Sequence, residues 1–316
     1  MRALLVMNPH ATTTTVAGRD VLAHALASVL KLEVLETTHR DHASAVAADA
    51  VRDGVELVVV HGGDGTVNEV VNGMMDGTGG GPTDPRFGPA LAVVPGGSAN
   101  VFARAIGLPR DPMAATSAIL ASLEGGRTRT VGLGQMIDRE RPGGRWFTFN
   151  AGMGWDAEVI AEMERLRARG RRATPLRYAA TAWQQYLRQR RDPRSITVEL
   201  PDAAPMDVRF AFVSNTDTWT YLGSRPVRTN PGASFATGLG LFGLHDLRTA
   251  TTVTALREML RPGGDPRGRN VLRRDTVPLL RVRSADPQAL QLDGDHVGRG
   301  RDVEFHAVSD ALRVVV

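Results

Sequence analysis

Apolar positions fall into two textures that change near residue 130. In the first, short apolar runs alternate with longer stretches whose apolar residues recur at helical spacing. Arg2 to Met7 and Val55 to Val60 are almost wholly apolar, as parallel strands buried on both faces are. Lys31 to Thr37 reads as a strand between helical stretches at Val16 to Leu30 and His42 to Asp53, giving the order βαβαβ. Leu91 to Val94 adds a strand and Asp111 to Leu123 a helix. This predicts an α/β domain with a parallel, Rossmann-like sheet.

Beyond Thr130, short strand-like segments are joined by Gly and Pro turns: Thr130 to Ile137, Arg145 to Asn150, Ser195 to Leu200, Val208 to Ser214, Val277 to Val282, Leu290 to Asp293, Val303 to His306 and Leu312 to Val316. Their rhythm predicts an antiparallel β-sandwich. Two helical stretches, Asp156 to Arg169 and Pro175 to Arg191, interrupt it. The boundary is placed near Gly132, giving domains 1–131 and 132–316, with the last segment free to pack back on the first domain.

Composition narrows the chemistry. The 316 residues are 42% hydrophobic, enough for two cores, and no apolar run approaches the ~20 residues that span a bilayer. The N-terminal apolar stretch is too short for a signal peptide, so a cytoplasmic protein, at most peripheral at the inner face of the membrane, is expected. The absence of cysteine removes disulfides, thiolate metal sites and thiol nucleophiles. Lys31 is the only lysine and no GxxxxGK[ST] string occurs, so phosphate charge must be met by backbone, arginine or metal. Aromatics make up 5% of the chain and are scattered in sequence, which argues against a base-stacking platform and against nucleic acid as a partner.

Two glycine turns carry the candidate chemistry. The run Val58 to Val60 enters His61-Gly62-Gly63-Asp64-Gly65-Thr66, and a helical pattern follows with Val67, Val70, Val71 and Met74 on one face. Strand, glycine turn and helix start together make a phosphate cradle, because backbone N–H groups can approach an anion without Cβ atoms between. Asp64 inside it suits a magnesium ion between carboxylate and phosphate. Thr66 and Glu69 also have capping-box spacing, which would make the stretch an ordinary connection. Some thirty residues later the pattern repeats at Pro95-Gly96-Gly97-Ser98-Ala99-Asn100. Two such turns at the carboxyl ends of neighbouring parallel strands would line one crevice. Ser98 reads first as a helix cap, and Asn100 first as a ligand to ribose or phosphate. The hydroxyls of His10 to Thr15 could contact phosphate or cap the next helix.

Between Arg165 and Arg194 stand ten arginines and one acidic residue, Asp192. That stretch could rest on an anionic membrane, or pack its apolar stripe on its own domain with arginines facing water. Near the end, Gln291-Leu292-Asp293-Gly294-Asp295 sets two carboxylates around a glycine, either to place a proton acceptor beside a metal ligand or as a simple hairpin turn.

Taken together, these motifs resemble the diacylglycerol kinase catalytic-domain family, bacterial lipid kinases similar also to sphingosine and ceramide kinases and, more distantly, to NAD kinases. The resemblance rests on Asn8-Pro9, on Gly62 to Gly73, on Pro95 to Arg104, on Asn150 to Val159 and on Leu292 to Asp295. It implies a two-domain kinase, with ATP and Mg2+ in the crevice between the domains and a lipid hydroxyl presented from the second. Asn8, Gly62, Gly63, Asp64, Gly65 and Thr66 would hold phosphates and magnesium, Gly97, Ser98 and Asn100 would extend the nucleotide site, and Asp156 would lie near the acceptor's head. Asp295 stands where the family has a glutamate acting as general base. Aspartate is shorter by about one methylene, so the base is Asp295 or Asp64. Asp64 and Asp293 are the candidate metal ligands. Other departures are the threonines after Pro9, Val101 in place of an aspartate, and Ala236 to Gly240 in place of an acidic segment.

The expected function is ATP-dependent phosphorylation of diacylglycerol or a similar lipid at an anionic membrane surface. A soluble acceptor of the NAD kinase kind, or a nucleotide-binding regulator without catalysis, are the rival readings. Oligomeric state stays open, a homodimer included.

Overall fold

The computed structural model describes residues 1–11, 15–78, 88–170, 174–191 and 195–316. Thr12 to Thr14, the centre of the loop expected at Asp76 to Pro89, and Arg171, Arg172, Asp192 and Arg194 of the arginine-rich stretch lie outside them. The chain divides into two compact units, 1–133 with 308–316, and 134–307.

In the first unit the elements follow as β1 (Arg2–Met7), α1 (Val16–Ala27), β2 (Lys31–Glu36), α2 (His42–Arg52), β3 (Leu57–Gly62), α3 (Asp64–Gly77), β4 (Ala90–Pro95), α4 (Val101–Ala105) and α5 (Pro112–Glu124). The strands are parallel in the order β2-β1-β3-β4, with Val314 of the C-terminal stretch beside Leu91. β3 and β4 are buried along their whole length, which is why they read as unbroken apolar runs. On α3 the face carrying Val67, Val70, Val71 and Met74 is buried, and Asp111 caps α5 by accepting from the Ala114 amide at 2.8 Å.

The order β2-β1-β3-β4 reverses direction between β1 and β3. In open parallel sheets that reversal opens a crevice beyond the carboxyl ends of the strands, where ligands bind. The turns after β1, β3 and β4 are those the sequence singled out.

The second unit is rich in antiparallel strands. The chain enters it within β5 (Thr128–Asp138), continues through β6 (Gly144–Phe147), β7 (Asn150–Met153), α6 (Trp155–Ala168), α7 (Pro175–Arg191), β8 (Ile196–Leu200), β9 (Ala203–Val208), β10 (Ala211–Ser214), β11 (Thr218–Leu222), β12 (Arg225–Arg228), β13 (Leu239–Leu244), α8 (Thr249–Met259), β14 (Val271–Val277) and β15 (Leu279–Leu292), and leaves within β16 (Asp295–Val315). Its main sheet runs β14-β13-β10-β7-β15-β16. β11 and β12 form a separate hairpin. One apolar cluster fills the sheet's interior around Phe147, Val282, Leu290 and Phe305. A second, around Tyr186, Phe210, Phe212, Phe242 and Met259, joins β10 and β13 to α7 and α8.

Candidate functional site

In the first unit the two glycine turns press backbone on backbone. The Gly96 amide donates to the Gly62 carbonyl at 2.8 Å, and a Cβ added at Gly97 would lie 2.7 Å from the Gly63 Cα. No side chain fits between them, so glycine is required for the approach itself. α3 begins at Asp64, with Gly63 as its N-cap, and the first amides of any helix lack intrahelical partners. Thr66 and Glu69 therefore lie inside the helix, and the capping-box alternative is not what forms.

The polar residues around the turns mostly hold them in place. Asn8 closes β1 by donating from Nδ2 to Thr66 Oγ1 at 3.0 Å, while its Oδ1 accepts from the His10 amide at 2.9 Å. Asp64 Oδ1 accepts from the Phe102 amide at 3.3 Å, tying the first cradle to the helix that leaves the second. Asn100 is held by the second turn itself. It stands in the left-handed region as the N-cap of α4, and both ends of its amide clasp Gly97, Oδ1 accepting from the amide at 2.8 Å and Nδ2 donating to the carbonyl at 2.7 Å. Its side chain thus shapes the loop that carries Gly97. Ser98, expected as the cap, is exposed two residues earlier. His61 is buried beneath the first turn with Nδ1 3.2 Å from the Val94 carbonyl oxygen, and burial pushes its pKa below the ordinary imidazole value, with the Val94 contact opposing.

In the second unit Asp293 is the centre of a knot. Its Oδ2 accepts from the Thr148 amide at 2.7 Å and Thr148 Oγ1 at 2.9 Å, and its Oδ1 from the amides of Phe149 and Asn150 at 2.9 and 3.0 Å. A carboxylate offers about four lone-pair directions for such bonds. This carboxylate, expected from the sequence as a metal ligand, anchors the β15–β16 hairpin to the segment entering β7. Asp293 and Gly294 both have positive φ, the signature of a two-residue type I′ turn, which leaves Asp295 partly exposed at the start of β16.

Gln291 ties that hairpin to Asp156. Its Oε1 accepts from the Gly294 amide at 3.0 Å, and its Nε2 donates both to Asn150 Oδ1 and to Asp156 Oδ2 at 3.1 Å. Asp156 stands in the first turn of α6. It keeps some accessible surface, yet protein crowds its carboxyl, and burial pushes its pKa up to about 7, with the Gln291 hydrogen bond acting the other way. An aspartate balanced near neutrality beside a cavity marks a candidate functional site.

That cavity was not foreseen. It is lined by Trp155, Asp156, Tyr186, Phe210, Phe212, Trp219 and Phe242, with Thr252, Ala255, Leu256 and Met259 of α8 along one side, and offers about 40 Å³ to the centre of a water-sized sphere. The aromatics that look scattered in sequence are gathered here, six of the sixteen Phe, Trp and Tyr residues. The spacing of Phe210, which enters β10, and Phe212 on it is the local signal, since residues two apart along an extended chain share a face.

No cluster of three or more His, Asp or Glu suited to a metal occurs among the described residues. The cradles fit a phosphate chain: backbone approaches backbone with no Cβ between, and one carboxylate, Asp64, stands at the helix start. Magnesium bound through phosphates asks for only one or two protein carboxylates.

Comparison with known proteins agrees with the motifs. Residues 2–136 match the family model described as the diacylglycerol kinase catalytic domain. The chain is similar to a diacylglycerol kinase of Bacillus subtilis, 35% identical over 170 residues, a match that takes in 51% of this chain and 48% of that protein. A diacylglycerol kinase of Staphylococcus carnosus is 32% identical over 146 residues, 44% of this chain and 42% of that one. The matched stretches thus span about half the length of these relatives. A crystal structure of a diacylglycerol kinase from Bacillus anthracis superposes with a TM-score of 0.70 at 16% identity, over 99% of this chain and 96% of the other. An NAD kinase from Archaeoglobus fulgidus in complex with ATP gives 0.54 at 10% identity, over 100% and 94%. At such identities these two establish the fold. Residues 2–136 are thus similar to the diacylglycerol kinase catalytic domain.

Proposed function

We propose that the chain is an ATP-dependent lipid kinase that moves the γ-phosphoryl group of ATP to a hydroxyl of diacylglycerol or a related lipid at a membrane surface. The observation that carries the reading is the aromatic cavity with Asp156 on its wall, in a chain whose first domain is similar to the diacylglycerol kinase catalytic domain. A soluble dinucleotide has little use for such a wall, whereas an acyl chain removed from water gains about 0.8 kcal/mol per buried methylene.

The residues divide the work. Backbone amides of the Gly62 to Thr66 and Gly97 turns cradle the phosphates, with Asn8 and Asn100 fixing the loops. A magnesium ion on the phosphates supplies neutralisation of their charge, and Asp64 is the residue that would hold it. Phosphoryl transfer needs positioning and electrostatic stabilisation more than covalent help, so a site without a lysine is sufficient. Asp156, oriented by Gln291, hydrogen-bonds the acceptor's polar head while its chain occupies the cavity. Asp295 or Asp64 takes the hydroxyl proton.

The test offers ATP labelled at the γ-phosphate to vesicles containing diacylglycerol, ceramide or sphingosine, with NAD in a parallel reaction. Label in a lipid supports the reading and names the acceptor class. Label in NAD alone overturns it.

A further inference from the structure

Every large hydrophobic side chain that the second unit leaves exposed, among its described residues, lies on one of three elements. Trp183 and Leu187 are on α7, Leu222 is at the tip of the β11–β12 hairpin, and Val253, Leu256 and Leu260 are on α8 or its C-cap. Trp183 is 58%, Val253 56% and Leu222 60% exposed. The apolar stripe read along α7 is therefore split: Tyr186 packs inward, and its ring lies tilted at 5.4 Å from that of Trp183, which faces out.

The same three elements wall the cavity, through Tyr186, Trp219 and the inner face of α8. Leu256 both lines it and is 39% exposed, so it marks the mouth. The elements are fastened to one another. Tyr186 donates its hydroxyl to the Leu247 carbonyl at 3.1 Å, Arg190 bonds Thr249 Oγ1 at 3.1 Å, and the Arg225 guanidinium of the hairpin donates to the Leu260 carbonyl. Residues 175–191, 218–228 and 248–261 contain nine arginines and one carboxylate, Glu258, which accepts from the Arg267 amide at 2.9 Å.

We infer that this collar is a membrane-docking surface for a leaflet containing anionic lipid, which sets the cavity mouth against the acyl region so that the acceptor enters without crossing water. The inference rests on the lipid-acceptor reading and deepens it. An exposed apolar patch around a pocket marks an interaction site, a half-exposed tryptophan suits the headgroup boundary, and an arginine surplus selects a negatively charged surface. Docking is thereby assigned to α8 and the hairpin as well as α7, not to the arginine-rich stretch alone.

The experiment sediments the full chain with vesicles of phosphatidylcholine alone and of phosphatidylcholine with phosphatidylglycerol, following tryptophan emission. The expected result is binding to the anionic vesicles with a blue shift that Trp183→Phe removes. The combined variant Leu222→Glu, Val253→Glu, Leu260→Glu should bind about tenfold more weakly or worse, and keep its phosphorylation of a short-chain, water-soluble diacylglycerol. The milder Val253→Ser weakens binding in the same direction if the combined variant does not fold. Anionic-vesicle binding unchanged in both variants overturns the inference, as does binding without the Trp183-dependent shift. Self-association in solution that the same substitutions abolish, without vesicle binding, reassigns the collar to a second copy of the chain. Vesicle binding as expected, with no transfer to the soluble acceptor by the unaltered chain, leaves the docking surface standing and removes the kinase reading.

Discussion

The Gln291 side-chain amide donates to the Asp156 carboxylate at 3.1 Å, joining the hairpin that carries Asp295 to the wall of the aromatic cavity. A donated hydrogen bond favours the ionised acid, so it opposes the burial that raises Asp156. Replacing Gln291 with Met removes that opposition. The Asp156 pKa, followed by carboxyl-carbon NMR, should rise by about one unit, and any acid limb in kcat/KM should move to higher pH with it. No change in the titration would mean the contact is too weak to orient the acid.

Asp156 also makes stability depend on pH. Its folded pKa, about 7, lies above its ordinary value of 3.8, so the folded state holds the proton more tightly than the unfolded chain. The native state therefore loses stability as pH climbs between these values, and the full loss is present above the higher one. Asp156→Asn should be more stable than the parent near pH 8, by roughly 4 kcal/mol at most, and should lose this advantage near pH 4. Urea unfolding at the two pH values checks it; an advantage that is the same at both contradicts the burial account.

Asp293 carries four hydrogen bonds and should behave as a structural residue. Asp293→Asn turns one acceptor oxygen into a donor facing backbone amides and should cost about 2–4 kcal/mol, read by urea unfolding. The magnesium concentration needed for half-maximal activity should stay as in the parent. A large rise in that concentration with unchanged stability would return Asp293 to the metal.

The contact between the glycine turns predicts an order of severity. A methyl group at Gly97 would meet the Gly63 Cα at 2.7 Å, whereas one at Gly63 would meet the Gly97 Cα at 3.3 Å. Gly97→Ala should therefore weaken ATP binding more than Gly63→Ala does, with a stability cost of about 1–3 kcal/mol. Calorimetric titration of both variants with ATP gives the comparison, and the reverse order would be inconsistent with this packing.

The first unit was legible because its signals are local. β1, β3 and α3 announce themselves through apolar runs and spacing within a dozen residues, and the glycine turns follow directly. Roles that depend on distant partners were not legible. Asp293 reads as a metal ligand, and nothing near it announces the bonds it takes from Thr148, 145 positions away. For Asn100, nothing local announces the left-handed backbone that folds its side chain onto Gly97. The cavity draws its wall from Trp155 to Met259. Its helix α8 begins Thr249-Ala250-Thr251-Thr252-Val253-Thr254, a β-branched run whose propensity opposes the helix that packing imposes. No element was read between Asn215 and Thr276, where β11, β12, β13, α8 and nearly all of β14 lie.

The most direct measurement is the transfer of labelled γ-phosphate to diacylglycerol in mixed vesicles by the parent chain, by Asp64→Asn and by Ala255→Phe, which fills the cavity from α8. The account predicts magnesium-dependent label in the lipid for the parent, none for Asp64→Asn, and a raised KM for the lipid with unchanged ATP binding for Ala255→Phe. Equal lipid label from all three proteins, or label that enters NAD and never the lipid, would contradict it.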